Sequence, residues 1–290
     1  MSIPASLNQR SWILALDWHI RFALGVSTCS LEDTAAAERA LKTLQKRTGK
    51  VPFNNDTYAR LNAFLSGMVD QSKGSLDSAL TTYSSRLLCL PDNVANYTDF
   101  NTDITILATM NRLLILQDPT HPDHFLASVL FSTLEPFCST HPNVFISGVF
   151  KILRSLVSLD NSIDRQKTLT FNAMETAKQL RNDKLMALCL INMTHRFFAD
   201  AIGEKAVKSV RAARQIANRS KSVLWRTVAL GLCINTFQRN GLVQDAQGCV
   251  QALEGLRERL PPTLKSDFMG RSGNGGMVRM TDGQGDVIMK

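Results

Sequence analysis

His121 and His124, with Asp123 between them, come nearest in this sequence to a metal-binding cluster. Two imidazoles three residues apart on a helix can share an ion, but a zinc site takes three or four protein ligands. No third candidate lies nearby, and the context is that of a helix start, since Thr120-His121-Pro122 is echoed by Thr140-His141-Pro142. Proline suits the first helical position, where its missing N–H needs no partner. Helices are therefore predicted over 122–138 and 142–159, and no metal is assigned. The glycines of segment 270–277, Gly-Arg-Ser-Gly-Asn-Gly-Gly-Met, are spaced suggestively for phosphate, without the strand before and helix after that such a loop requires. Neither Gly-x-Ser-x-Gly nor His-Glu-x-x-His occurs. The sequence thus predicts no catalytic residues and no cofactor.

Cys29, Cys89, Cys138, Cys189, Cys233 and Cys249 are scattered, with no Cys-x-x-Cys. Each falls among apolar residues, which predicts reduced, mostly buried thiols in a cytosolic or nuclear protein. Asp17 and His19 interrupt the early apolar run, so no secretory signal is expected, and no run is long enough for a membrane span.

The remaining chemistry is charge. From Arg181 to Arg226, ten basic residues face only Asp183, Asp200 and Glu204. Lys205, Lys208, Arg211 and Arg214 recur every third residue, sharing one helix face opposite Ala206, Val210 and Ala213. Such a row is either a solvated face or a seat for an acidic partner or a nucleic-acid backbone. The absence of interleaved aromatics argues against single-stranded nucleic acid.

The elements that must position these residues read as short helices. Segment 61–91 forms two helices hinged at Gly74. Gly67 and Ala79 lie where the two backbones approach, Tyr83 sits beside Ala79, and Pro91 stops the second helix. These are the small, turn, aromatic and proline positions of a tetratricopeptide unit of about 34 residues. Degenerate copies recur: Ala206 and Ala213 keep the small-residue spacing, Gly241 and Ala246 are five apart as Gly74 and Ala79 are, and Phe237 falls at an aromatic position of the first helix. An opening helix over 7–26 carries Trp12, Leu16, Ile20 and Ala23 at helical spacing. Ser30 to Asp33 reads as the cap of a second helix bearing Ala37, Leu41 and Leu44 inward. The expectation is all-α: a tetratricopeptide-like solenoid of about twelve antiparallel helices over 1–262, then a glycine-rich disordered tail over 263–290.

Four blocks carry a family resemblance. They are Phe64–Tyr83 (FLSGMVDQSKGSLDSALTTY), Thr102–Leu116 (TDITILATMNRLLIL), HPDH followed by LEPFCSTHP, and the stretch from Leu180 to Gly241 around Trp225. In this colinear order the chain resembles the cohesin loading factor family, the tetratricopeptide-like subunit of the cohesin loader. The resemblance implies a non-enzymatic nuclear adaptor that wraps the extended N-terminal segment of the large HEAT-repeat loader subunit. Through it, cohesin is brought to chromatin for sister-chromatid cohesion; the residues themselves add weak DNA contact by the basic face as an open reading and lead to no expected membrane partner. It also implies that this chain corresponds to the C-terminal part of longer members.

By repeat register, the first helix of each pair lines the groove. The groove positions are then Leu61, Phe64, Met68 and Gln71, next Leu188, Ile191, His195 and Phe198, and last Asn235, Gln238 and Arg239. Two rivals stay open. One is another helical scaffold, such as a chaperone adaptor gripping a C-terminal carboxylate with Asn235 and Arg239. The other is direct nucleic-acid binding by the basic face.

Overall fold

The computed structural model describes residues 3–30, 32–48, 55–90, 100–117, 120–156, 163–198 and 201–260. Residues 261–290, where the tail is expected, lie outside the described part. Among the described residues every regular element is helical, as predicted. The helices are α1 (Ile3–Ser30), α2 (Thr34–Thr48), α3 (Asn55–Lys73), α4 (Leu76–Tyr83), α5 (Phe100–Leu116) and α6 (Leu126–Cys138). They continue with α7 (Val144–Leu156), α8 (Ile163–Gln179), α9 (Asp183–Phe198), α10 (Glu204–Arg219), α11 (Val223–Arg239) and α12 (Val243–Arg257).

Each helix packs on the next, which is the hairpin stacking of a helical-repeat solenoid. A second set of contacts sets the curvature. The odd-numbered helices touch one another in succession, α1 to α3 and on to α11, whereas the even-numbered helices form no such row. The odd helices are therefore the crowded inner layer and the even ones the splayed outer layer.

Five of the helix-to-helix turns share one device. Glu32, Gly74, Arg181, Lys221 and Gly241 have φ of 63°, 81°, 50°, 57° and 70°, the left-handed conformation that ends a helix and reverses the chain. At Gly74, for example, the N–H groups of Gly74 and Ser75 return to the carbonyls of Gln71 and Asp70. Glycine takes this conformation freely, while other residues strain by about 1–2 kcal/mol. Lys221→Gly should therefore raise stability by about 0.5–1 kcal/mol, the relief less the extra unfolded-state freedom of glycine. A denaturant midpoint equal to or below that of the parent would contradict this.

The predicted small-residue packing is present. A Cβ placed on Gly67 would lie 2.5 Å from the Tyr83 ring, so only glycine lets α3 accept that ring. Ala79, Ala206, Ala213 and Ala246 are buried, and so is Phe237 near the end of α11, the first helix of its pair. Ala37, Leu41 and Leu44 face inward as expected.

Several boundaries differ from the sequence expectation. The α1 stripe is rotated: Leu16 and Ile20 are 44% and 59% exposed, while Trp18 is fully buried. This helix is apolar on two faces, and Gly25 decides between them by admitting Leu65 of α3 against its backbone. The side chain of Trp12 lies outside the described part. Ser30 belongs to α1, and the cap of α2 is Asp33, whose Oδ1 accepts the Ala36 N–H at 2.9 Å. α4 ends at Tyr83, well before Pro91, because Ser84 turns its hydroxyl back on the Leu80 carbonyl and a short 3-10 turn, Arg86–Leu88, follows. Pro91 itself lies outside the described residues.

Pro122 and Pro142 also precede their helices rather than opening them. In both places the histidine ring folds back over the proline. Nδ1 of His121 accepts the Asp123 N–H at 3.0 Å, and Nδ1 of His141 accepts the Asn143 N–H at 3.1 Å. Each ring thereby makes a tight turn that displaces the helix start downstream. His124 meanwhile places Nδ1 2.8 Å from the Leu116 carbonyl. The echoed motif is a turn device, and both histidines of the 121–124 pair are engaged with backbone.

All six cysteines are free thiols, and all but Cys89 are buried. Burial pushes Cys138, Cys189 and Cys233 up to about 12 and Cys29 up to about 11, because a thiolate there would lose its hydration. A thiol reagent at pH 8 should modify one cysteine, Cys89, quickly in the native protein and the other five only after denaturation. Release of chromophore from two or more thiols in the fast phase would show the core to be open.

Candidate partner-binding groove

The odd helices converge on a groove along the inner layer. It encloses a cavity of about 340 Å³ lined by Cys29 and Ser30 from α1, Met68, Gln71 and Ser72 from α3, Asn111 from α5, Lys184 from α9, and Leu224 and Trp225 from α11. Glu32, Ser222 and Leu260 complete the rim. Five inner helices thus contribute to one surface, apolar at Met68, Leu224 and Trp225 and polar at Gln71, Asn111 and Lys184.

The polar floor is preorganised. The Tyr83 phenol donates to Gln71 Oε1 at 3.0 Å and accepts from Asn111 Nδ2 at 3.2 Å. Burial holds that phenol well above its ordinary pKa, so it stays protonated and keeps its donor role. Gln71 and Asn111 are each anchored by one hydrogen bond and keep amide groups for a chain passing over them. Such fixed side-chain amides suit the N–H and C=O groups of an extended backbone.

The rim is tied across the whole solenoid. Glu32, in the α1–α2 turn, accepts the N–H groups of Val223 at 2.7 Å and Leu224 at 3.3 Å, and Ser222 donates its hydroxyl to the same carboxylate. Nearby, Lys184 Nζ donates to Ser30 Oγ at 3.3 Å. Burial pulls the Lys184 ammonium below its ordinary pKa, with the Glu32 carboxylate opposing that shift.

Among protein-family models, that of the cohesin loading factor matches residues 1–244. The chain belongs to the cohesin loading factor family. Comparison with curated proteins and with solved structures finds no match. Membership gives this cohesin loading factor a role in cohesin loading among the components of the loader, which is work done at chromatin.

The fold distributes the sequence-derived groove residues unevenly. Met68 and Gln71 line the cavity. Leu61, Phe64 and Ile191 are 1%, 7% and 7% exposed and sit between inner helices. Leu188 and Phe198 are half-buried, and His195, Asn235, Gln238 and Arg239 are exposed, all away from the cavity lining. Asn235 and Arg239 lie ten or more residues beyond Trp225 along α11, roughly 15 Å or more at 1.5 Å per residue. Asn111, Lys184, Trp225, Leu260 and Glu32 are the rim and floor residues that repeat register did not select.

The basic row lies on α10, in the outer layer. Lys208 pairs with Glu204 at 2.6 Å, and Arg211 pairs with Asp245 of α12 at 2.8 Å while its guanidinium sits 5.7 Å from the Phe237 ring. Arg214 donates to Cys249 Sγ at 3.5 Å, and Lys205 is exposed. Asp200 lies outside the described residues, but Asp245, far along the chain, supplies an acid that linear counting did not assign to this face. Arg196, counted in the same basic series, has another use: it donates to the Ser155 and Leu156 carbonyls at the end of α7.

Proposed function

We propose that this cohesin loading factor is the non-enzymatic adaptor subunit of the nuclear cohesin loader, holding the extended N-terminal segment of the large HEAT-repeat subunit in its inner groove. The observation that supports this reading is the convergence of five inner helices on one cavity with an apolar wall and an anchored amide floor. An extended segment ordered only on binding needs many such contacts to offset its lost entropy. The outer helix α10 offers at most a weak, sequence-independent contact with DNA, led by Lys205, since Lys208 and Arg211 are already paired with the acids Glu204 and Asp245.

The test uses overlapping peptides from the large subunit's N-terminal region, with binding followed by fluorescence anisotropy. One contiguous stretch should bind, and Met68→Glu with Leu224→Gln, both on the cavity wall, should weaken it at least tenfold while circular dichroism stays unchanged. Met68 is a better target than Phe64, because a charge at the buried Phe64 would unfold the helix pair. Undiminished binding by the folded double variant would remove the groove from consideration.

A further inference from the structure

We propose that Glu32 is a clasp that shuts the mouth of the groove, joining the α1–α2 turn to α11 so that an extended polypeptide is admitted only while the clasp is open. Val223 and Leu224 are the first two residues of α11, and their N–H groups have no partner within the helix. Water ordinarily takes such groups. Here one carboxylate, 191 residues away from Val223, takes both and also holds the hydroxyl of the cap residue Ser222. The carboxylate sits at the positive end of α11, where a negative charge is favoured. Lys184 on Ser30 is a second tie at the same mouth.

The choice of residue strengthens the inference. Position 32 has φ of 63°, where glycine would relieve strain and would serve the turn alone. Glutamate costs the turn something and gives it a reach that glycine lacks. The elements joined are otherwise at opposite ends of the described solenoid, and α1 and α11 share no direct helix packing of the kind seen between neighbours. A few hydrogen bonds at the rim are therefore opposed by little else and can part without disturbing the hairpins.

The gating role rests on the groove being the partner site, so the experiment reads closure and binding separately. In the full chain, exchange of the Val223 and Leu224 amides is followed by NMR in the parent, in Glu32→Gly, which suits the turn, and in Glu32→Lys, which sets a second ammonium beside Lys184. The same proteins are mixed in stopped flow with a fluorescent peptide from the large subunit's N-terminal segment. The two amides should be protected at least tenfold in the parent and not in either variant. Association should be about tenfold faster in both variants, with dissociation faster as well. Parent amides that exchange as quickly as those of Glu32→Gly overturn the clasp. Lost protection with unchanged association overturns the gate. Intact protection in a parent that captures no segment means that the groove reading has failed, and the gate fails with it.

Discussion

Trp18→Ala will cost about 3–5 kcal/mol, the range for removing a fully buried large aromatic side chain. The indole is 0% exposed, stacks on Phe22 at a centroid distance of 5.6 Å, and meets Tyr58 edge-on at 4.6 Å. Its Nε1 donates to Thr48 Oγ1 at 3.4 Å, which fastens the end of α2 to α1. Nothing can slide in, because Leu44, Leu61 and Leu65 around it are already fully buried. A solenoid couples mainly neighbouring repeats, so the damage should be local. Hydrogen exchange should accelerate throughout α1, α2 and α3 while α7 and α8 keep their protection. The Glu32 clasp adds a distant signature, since loosening α1 should also release the first amides of α11. A change under 1 kcal/mol, or equal acceleration in every helix, would contradict this account of the N-terminal core.

The sequence carried the repeat because the packing of helical hairpins is written in single residues at fixed offsets. Gly67 has to be glycine to take the Tyr83 ring, and Gly74 and Gly241 end helices in a conformation that favours them. Those constraints are local and survive in a degenerate repeat. Helix ends were less legible, because Pro122 and Pro142 permit a helix to begin but do not require it, and the histidine turns held it off. The groove was half legible. Register finds the residues on the inner side of each hairpin, as with Met68 and Gln71. It does not say how much of that side the next inner helix covers, which is why Leu61, Phe64 and Ile191 are packed away. The meeting of Glu32 with α11 lay beyond any local rule. It depends on curvature summed over every repeat between them, and no spacing in the sequence records that sum.

Trp225→Ala should weaken capture of the large subunit's segment by about 30-fold, the equivalent of a 2 kcal/mol hot spot. Trp225 is the largest apolar side chain of the groove lining, half-buried on α11 with one side supported by the neighbouring core and the other facing the cavity. An indole so placed offers wide apolar contact at little conformational cost, because its rotamer is already held by packing. The backbone should tolerate the change, since Ser222 caps α11 through the Trp225 N–H, a bond that alanine keeps. The companion variant is Lys205→Glu with Lys208→Glu on the outer face of α10, where capture should change less than threefold. If instead the lysine pair abolishes capture and Trp225→Ala leaves it intact, the partner sits on the outer layer. The affinity would then fall steeply with salt, as a charge-driven contact does and an apolar groove does not.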